Sequence, residues 1–260
     1  MPAQAIGQQT SITIPYLAHA PVIDGDLNEW KDVAHSDGVW DLRRVSQSSW
    51  YDPQKNRLTD QDEDVSIEDD LSARYYIAWD DTFLYLGAEV KDNVNDVVES
   101  RHEPKRWYYK DAIAWFIEAP ADDIDETFGE GDHAFAFVID TSMPDYGAWW
   151  RHGTRDTSYL EQLLPAGTFS YLIRMNPWGT GPADYVLEAR IDMHALFPLS
   201  DPNWRPPQIG YEYRIMIVHC DPDGGEYGGH LLIYGSGDND MSWSKMILSE
   251  SVKPLKRKQK

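Results

Sequence analysis

The chain carries one cysteine, Cys220, in 260 residues. A lone thiol forms no internal disulfide and builds no thiolate zinc cluster. Long apolar runs are missing as well. No stretch approaches the roughly 20 residues of a membrane-spanning helix, so membrane insertion is not expected. Positive charge is scarce: Lys and Arg number 23 against 44 Asp and Glu, a formal charge of −21. Phosphate backbones need a basic surface, so nucleic acid is excluded as a partner, and anionic membranes and polyanionic substrates are disfavoured. Such a balance suits a neutral ligand or a bound cation. Catalytic signatures are also lacking. There is no Gly-x-Ser-x-Gly, no His-Glu-x-x-His, no Gly-x-Gly-x-x-Gly and no phosphate loop, and the eight histidines are scattered. Two carboxylates about 5–10 Å apart can hydrolyse a glycoside. With 44 acids such a pair can be picked anywhere, so it carries little weight.

Aromatic residues, by contrast, are plentiful: 11 Trp and 15 Tyr. They favour strands and fill sandwich cores, which accounts for most of them and leaves a few for a binding surface. Ala73, Tyr75, Ile77 and Trp79 alternate with more polar neighbours, and Leu84, Leu86, Ala88 and Val90 do so again after Asp80-Asp81. Alternation around a tight turn predicts a hairpin. Further strands are predicted at 112–118, 133–140, 168–176, 185–191, 211–220 and 243–248. Met193 to Phe197 reads as one helical turn stopped by Pro198, and 155–164 as a second. Many strands between Gly, Pro and Asp loops predict an all-β fold. The expected form is an antiparallel β-sandwich of jelly-roll or immunoglobulin-like type, with one or two short helices. One domain over 20–250 is expected, after an amino-terminal extension with an edge strand (1–19) and before a basic tail (251–260). Residues 52–70 and 143–164 read as insertions.

Three segments in order carry a family pattern. They are Val22-Ile23-Asp24-Gly25-Asp26-Leu27-Asn28-Glu29-Trp30, the Ala73–Val90 hairpin with Asp92, and Trp107-Tyr108-Tyr109-Lys110-Asp111 entering Trp115-Phe116-Ile117-Glu118. Tyr185 to Ile191, Cys220-Asp221-Pro222-Asp223-Gly224 and Trp243 extend it. Together they resemble carbohydrate-binding module family 9, of the DOMON-like superfamily. The resemblance implies a β-sandwich that holds a poly- or oligosaccharide, such as xylan or cellulose, without cutting it, as an accessory module of a carbohydrate-active enzyme can. It also implies an extracellular or periplasmic location. Met1 to Thr10 lacks the charged start and apolar middle of a signal peptide, so that location presumes a leader already removed.

In such modules a sugar ring lies between two tryptophans, and the carry-over falls on Trp107 and Trp243. An indole stacks on the C–H face of a pyranose while polar groups bind its hydroxyl rim. Asn239 and Asp240, just ahead of Trp243, and Arg151, beside Trp149-Trp150, are the candidates for the rim. A clamp residue is expected to be partly exposed. The bland alternative makes both tryptophans core or rim aromatics, as Trp115 is expected to be. Asp24, Asp26 and Glu29 gather oxygen ligands around Gly25, and calcium takes six to eight oxygens. The resemblance implies structural calcium near this turn, with Asp92 approaching from the hairpin. Asp221, Asp223 and Glu226 form a second acidic loop. Neither loop matches an EF-hand, and the alternative is a solvated turn built for backbone geometry. A competing reading is a haem-binding DOMON-type electron-transfer domain using Met143, His152, Met175 or His219. No Cys-x-x-Cys-His exists, so its haem would be non-covalent.

Overall fold

A computed structural model describes residues 11–39, 49–52, 57–59, 71–97, 106–122, 124–125, 129–142, 147–154, 158–199, 204–222, 229–235 and 239–250. Its strands, in chain order, are β1 (Ile12–Pro15), β2 (His35–Val39), β3 (Ser49–Asp52), β4 (Arg57–Thr59), β5 (Leu71–Trp79), β6 (Phe83–Asp92), β7 (Ala112–Glu118) and β8 (Asp132–Val138). They continue as β9 (Ala148–Gly153), β10 (Tyr159–Leu163), β11 (Phe169–Met175), β12 (Tyr185–Asp192), β13 (Glu212–Asp221), β14 (Gly229–Ile233) and β15 (Ser244–Ser249). One helical turn, α1 (Met193–Leu196), is capped by the Asp192 side chain, which accepts the Ala195 N–H.

Two sheets make a sandwich. The larger runs β10-β9-β8-β7-β13-β14-β3-β4, with β15 branching from β13 and β1 pairing with β15. The smaller runs β11-β12-β6-β5-β2. The predicted hairpin is present: Trp79 faces Leu84 and Ala78 faces Tyr85. Asp80 closes its turn, because Oδ1 accepts the Thr82 and Phe83 amides at 2.7 and 2.6 Å. The pairing is antiparallel except for β1 on β15. Residues 159–163, expected to be helical, form the edge strand β10. Tyr159, Glu161 and Leu163 alternate toward one face opposite Gly153, Arg151 and Trp149, which is a strand period and not a helical one. Strands β3 and β4 fall within and beside the 52–70 insertion. Among the described residues no helix is long and apolar enough to cross a membrane.

The core follows from the alternation. Ile113, Trp115 and Ile117 of β7 meet Phe135 and Phe137 of β8 and Ile215 and Ile217 of β13 between the sheets, against Tyr75, Ile77, Leu86, Leu187 and Ala189. Trp115 is core, as expected. The other faces are not bare. The amino-terminal segment packs Leu17, Leu27 and Trp30 on Tyr76, Ala78 and Tyr85 of the small sheet. On the outer face of the large sheet, Ala112, Ala114, Ala134 and Ala136 leave a shallow floor on which Trp107, Trp149 and Trp243 pack. That outer face positions the candidate site.

Candidate functional site

Trp107 sits in a single 3-10 turn, Trp107–Tyr109, just ahead of β7. Trp243 ends another, Asp240–Ser242, just ahead of β15, where its N–H donates to the Asp240 carbonyl. Far apart in sequence, they both contact Phe116, whose ring centroid is 6.3 Å from Trp107 and 5.7 Å from Trp243. Both are buried: Trp107 is 3% exposed and Trp243 0%. The expectation of partial exposure is not met, because the alanine floor lets both indoles sink against the sheet.

Arg151 of β9 joins Trp107. Its guanidinium carbon lies 5.7 Å from the Trp107 ring centroid, 6.0 Å from Tyr108 and 4.5 Å from Tyr159. Glu161 lies directly across the β9–β10 ladder. Its Oε1 accepts from the Trp107 indole N–H at 2.9 Å and from Arg151 Nη2 at 3.2 Å. The result is a guanidinium wrapped by aromatic rings and paired with a carboxylate. It can offer hydroxyl-binding groups beside stacking surfaces. Sequence reasoning named Trp107 and Arg151 but missed Glu161 and Tyr159. The strand period of 159–163 was the signal that would have placed them on this face.

Asn239 and Asp240 lie at the other end. The Asn239 side chain donates to Asp125 Oδ1. Asp240 is buried beside Glu118 and Asp122, the three offering carboxylate oxygens within 4.8 Å of one another. Glu118 pairs with Arg214, which lies opposite it on β13, at 2.9 Å. Burial, then Asp132, Asp240 and Asp122, push the Glu118 carboxyl upward, while the Asp122 N–H opposes. The Arg214 guanidinium also works against that rise.

A second acidic group closes one end of the sandwich. Asp92 ends β6, Asp111 precedes β7 and Asp221 ends β13, all buried, with oxygens again within 4.8 Å of one another. Asp92 Oδ1 accepts the Val94 N–H at 2.9 Å, and Asp111 Oδ2 accepts the Asp96 N–H. Three buried like charges repel unless protons or a cation intervene. Both triads could therefore hold a metal ion.

Asp24, Asp26 and Glu29 form no such group. Asp24 accepts the Asp26 N–H, Asp26 caps the following turn through the Asn28 N–H, and Glu29 accepts the Val22 N–H. What ties this turn down is Glu188 of β12, which sequence reasoning did not single out. Its oxygens accept the amides of Asp24 and Gly25 and the Trp30 indole N–H at 2.8–2.9 Å. Burial raises the Glu188 carboxyl and these three donors oppose. Gly25 is required here: its φ is +78° and an added Cβ would fall 2.6 Å from Leu172 Cδ2. Asp92 stands instead with Asp111 and Asp221. Asp223 and Glu226 lie outside the described residues.

Of the haem candidates, Met175 ends β11 and packs partly buried against the core. Both His219 ring nitrogens are engaged in the core, by the Tyr75 hydroxyl at 2.7 Å and the Tyr185 hydroxyl at 2.9 Å. The His152 ring stacks on Trp150 at 4.0 Å. Met143 lies outside the described residues.

Comparison with known proteins bears on these sites. The sequence model of a family described as carbohydrate family 9 binding domain-like matches residues 43–244. No curated protein sequence matches. Among solved structures, a family 9 carbohydrate-binding module from Caldicellulosiruptor kristjanssonii in complex with cellotriose superposes with a TM-score of 0.58 at 16% identity, covering 95% of this chain and 99% of that one. The same kind of module from that organism in complex with glucose gives 0.58 at 14%, covering 95% and 100%. A candidate carbohydrate-binding protein from Bacteroides uniformis gives 0.58 at 10%, covering 94% and 100%. At such identities the superpositions speak for the fold alone. The family match spans most of the sequence, and the chain belongs to the carbohydrate family 9 binding domain-like family.

Proposed function

We propose that the protein is a non-catalytic carbohydrate-binding module that acts outside the cytoplasm, in the periplasm or beyond. Its ligand is a neutral glucan or xylan oligosaccharide lying on the outer face of the large sheet. One observation carries this reading: Trp107, Arg151 and Glu161 meet there as stacking ring, donor and acceptor. Trp243 meets the same Phe116, with Asn239 and Asp240 near it. Because Trp107 and Trp243 are both covered, they stack on a sugar only if the chain over them shifts on binding. The cellotriose and glucose complexes of the C. kristjanssonii modules guide the choice of ligands.

Calorimetry with cellotriose, glucose and xylotriose tests it. Loss of an aromatic stacking partner removes roughly 0.5–1.5 kcal/mol beyond area burial, so Trp107→Ala should weaken binding by about two- to tenfold. Arg151→Ala should weaken it comparably. Trp243→Phe, which keeps a ring in place, should weaken it less. If some sugar binds and the Trp107→Ala and Arg151→Ala variants hold it as tightly as the parent, the ligand lies elsewhere and this site is wrong.

Calcium is the proposed ion, because every offered ligand is a carboxylate oxygen. The residues fit: Asp92, Asp111 and Asp221 come from both sheets, so an ion held by them would tie the sandwich together. The amino-terminal turn with Asp24, Asp26 and Glu29 is the second place to test. An ion bound only by the folded state adds about 2.7 kcal/mol at a hundredfold excess over its Kd. The melting temperature should therefore fall by roughly 5–10 °C in EDTA and recover with calcium. Asp111→Asn should abolish the response, and Asp24→Ala should abolish it only if the turn holds the ion. An EDTA-insensitive melt, with no metal on elemental analysis, rules calcium out.

A further inference from the structure

We infer that Tyr159, on edge strand β10, is a stacking platform for a second sugar unit, so that the ligand is an oligosaccharide running along β10 and not a single ring. This rests on the carbohydrate-binding reading above and extends it to a residue outside the tryptophan pair. Tyr159 is 48% exposed, whereas Trp107 and Trp243 are almost wholly covered. Of these three rings it is the one with substantial exposed surface.

Its surroundings are built for that use. The guanidinium of Arg151, 4.5 Å from the ring centroid, backs Tyr159, and Glu161 holds that guanidinium in turn. A ring braced by a guanidinium and free to turn about only two torsions loses little entropy when a ligand stacks on it. Across the ladder from Tyr159 is Gly153, which places no side chain beside it. Strand β10 is the end of the large sheet's strand order, and its residues are exposed apart from the partly covered Glu161.

Spacing fits a chain of sugars. Tyr159 and Trp107 lie within 4.5 and 5.7 Å of the same guanidinium carbon, so their centroids are at most about 10 Å apart. The two rings therefore border one guanidinium, and a sugar stacked on Tyr159 would have the Arg151–Glu161 pair beside its hydroxyls. On the same face Leu163, 36% exposed, follows four residues on, about 13 Å along the strand at its usual rise. The strip is therefore apolar, polar, apolar, which matches the alternating faces and rims of an extended oligosaccharide. Another exposed aromatic, Trp178 in the turn between β11 and β12, has a similar exposure of 39%. That turn joins two strands of the smaller sheet, whereas Arg151 and Glu161 belong to the larger, and Trp178 serves as the control.

Calorimetry with glucose and with cellotriose separates the possibilities. Tyr159→Ala should weaken cellotriose by about tenfold and leave glucose within twofold of the parent. Tyr159→Phe, which keeps the ring, should bind both as the parent does, and so should Trp178→Ala. The inference is overturned if Tyr159→Ala binds cellotriose as the parent does. It is equally overturned if glucose weakens as much as cellotriose, for then Tyr159 acts through Arg151, or if Trp178→Ala costs as much as Tyr159→Ala. In each of those cases the carbohydrate reading survives. A parent that binds neither sugar overturns both.

Discussion

Trp243→Ala is expected to destabilise the protein by roughly 3–5 kcal/mol, the range for emptying a buried aromatic site. Trp243 is fully buried, packs edge-on against Phe116 and lies among Phe116, Met216 and the alanines of the outer face. Its backbone N–H also closes the turn that leads into β15. Against a typical total stability of about 5–15 kcal/mol, this loss would be plain in a urea unfolding curve, as a lower midpoint at unchanged slope. Trp115→Ala, between the sheets, should cost a similar amount. The two variants probe different faces of the same sheet, and their similarity would mark the outer face as a second core. A loss of under about 1 kcal/mol for Trp243→Ala would mean that its ring lies open on the surface. It would also remove the need for a shift of the covering chain before sugar stacks there. This is why binding is better tested with Trp243→Phe.

How much of this was legible in the sequence depended on range. The hairpin from β5 to β6 was plain, because alternation and an Asp-Asp turn are local signals and Asp80 caps its own turn. The helical turn at Met193 was equally local. Strand β10 was misread because Tyr159 to Leu163 is short and its apolar residues, Tyr159, Leu160 and Leu163, also fit one face of a helix. Its pairing with β9 decided the matter, and pairing is not written in the segment itself. That single misreading hid Glu161 and Tyr159. The acids show the same limit. With 44 of them, local clustering drew notice to Asp24, Asp26 and Glu29, yet these cap nearby amides. The groups that assemble across the fold are drawn from distant segments, Asp92 with Asp111 and Asp221, and Glu118 with Asp122 and Asp240. Glu188, which fastens the amino-terminal turn, is more than 150 residues away from it in sequence. Trp107 and Trp243 were legible as a pair through the family pattern. Their burial was not, because it depends on four alanines from two neighbouring strands that give no signal alone.

The steepest loss of stability is expected on the acid side, below about pH 6.5, and buried histidines are the cause. Burial pushes His133 down to about 3, with His152 adding to the effect, and pushes His230 down to about 4, against the pull of the Tyr108 carbonyl. His219, held neutral between two tyrosines, is lowered to about 3 as well. The unfolded chain takes up these protons near pH 6.5 while the folded chain refuses them. Between pH 6.5 and the folded values the unfolded state therefore binds more protons, and stability falls as pH falls. Each such group contributes about 1.4 kcal/mol per pH unit. His133 and His230 alone would remove about 4 kcal/mol by pH 5. Glu118 and Glu188 act in the opposite sense, since their raised folded values make the folded state hold more protons and lose stability as pH rises. The donors around both carboxylates limit that opposition. The histidine contribution is isolated by difference. His133 packs against Phe135 and Phe197, whose rings also meet each other, and accepts from the Trp150 indole N–H. His133→Phe sacrifices that hydrogen bond at every pH, a constant offset. It also removes one titrating group, so its stability curve between pH 6.5 and 5 should be shallower than the parent's by about 1 kcal/mol per pH unit. Urea unfolding of both proteins across that window measures the slopes, and parallel curves would show that His133 is not held neutral in the fold.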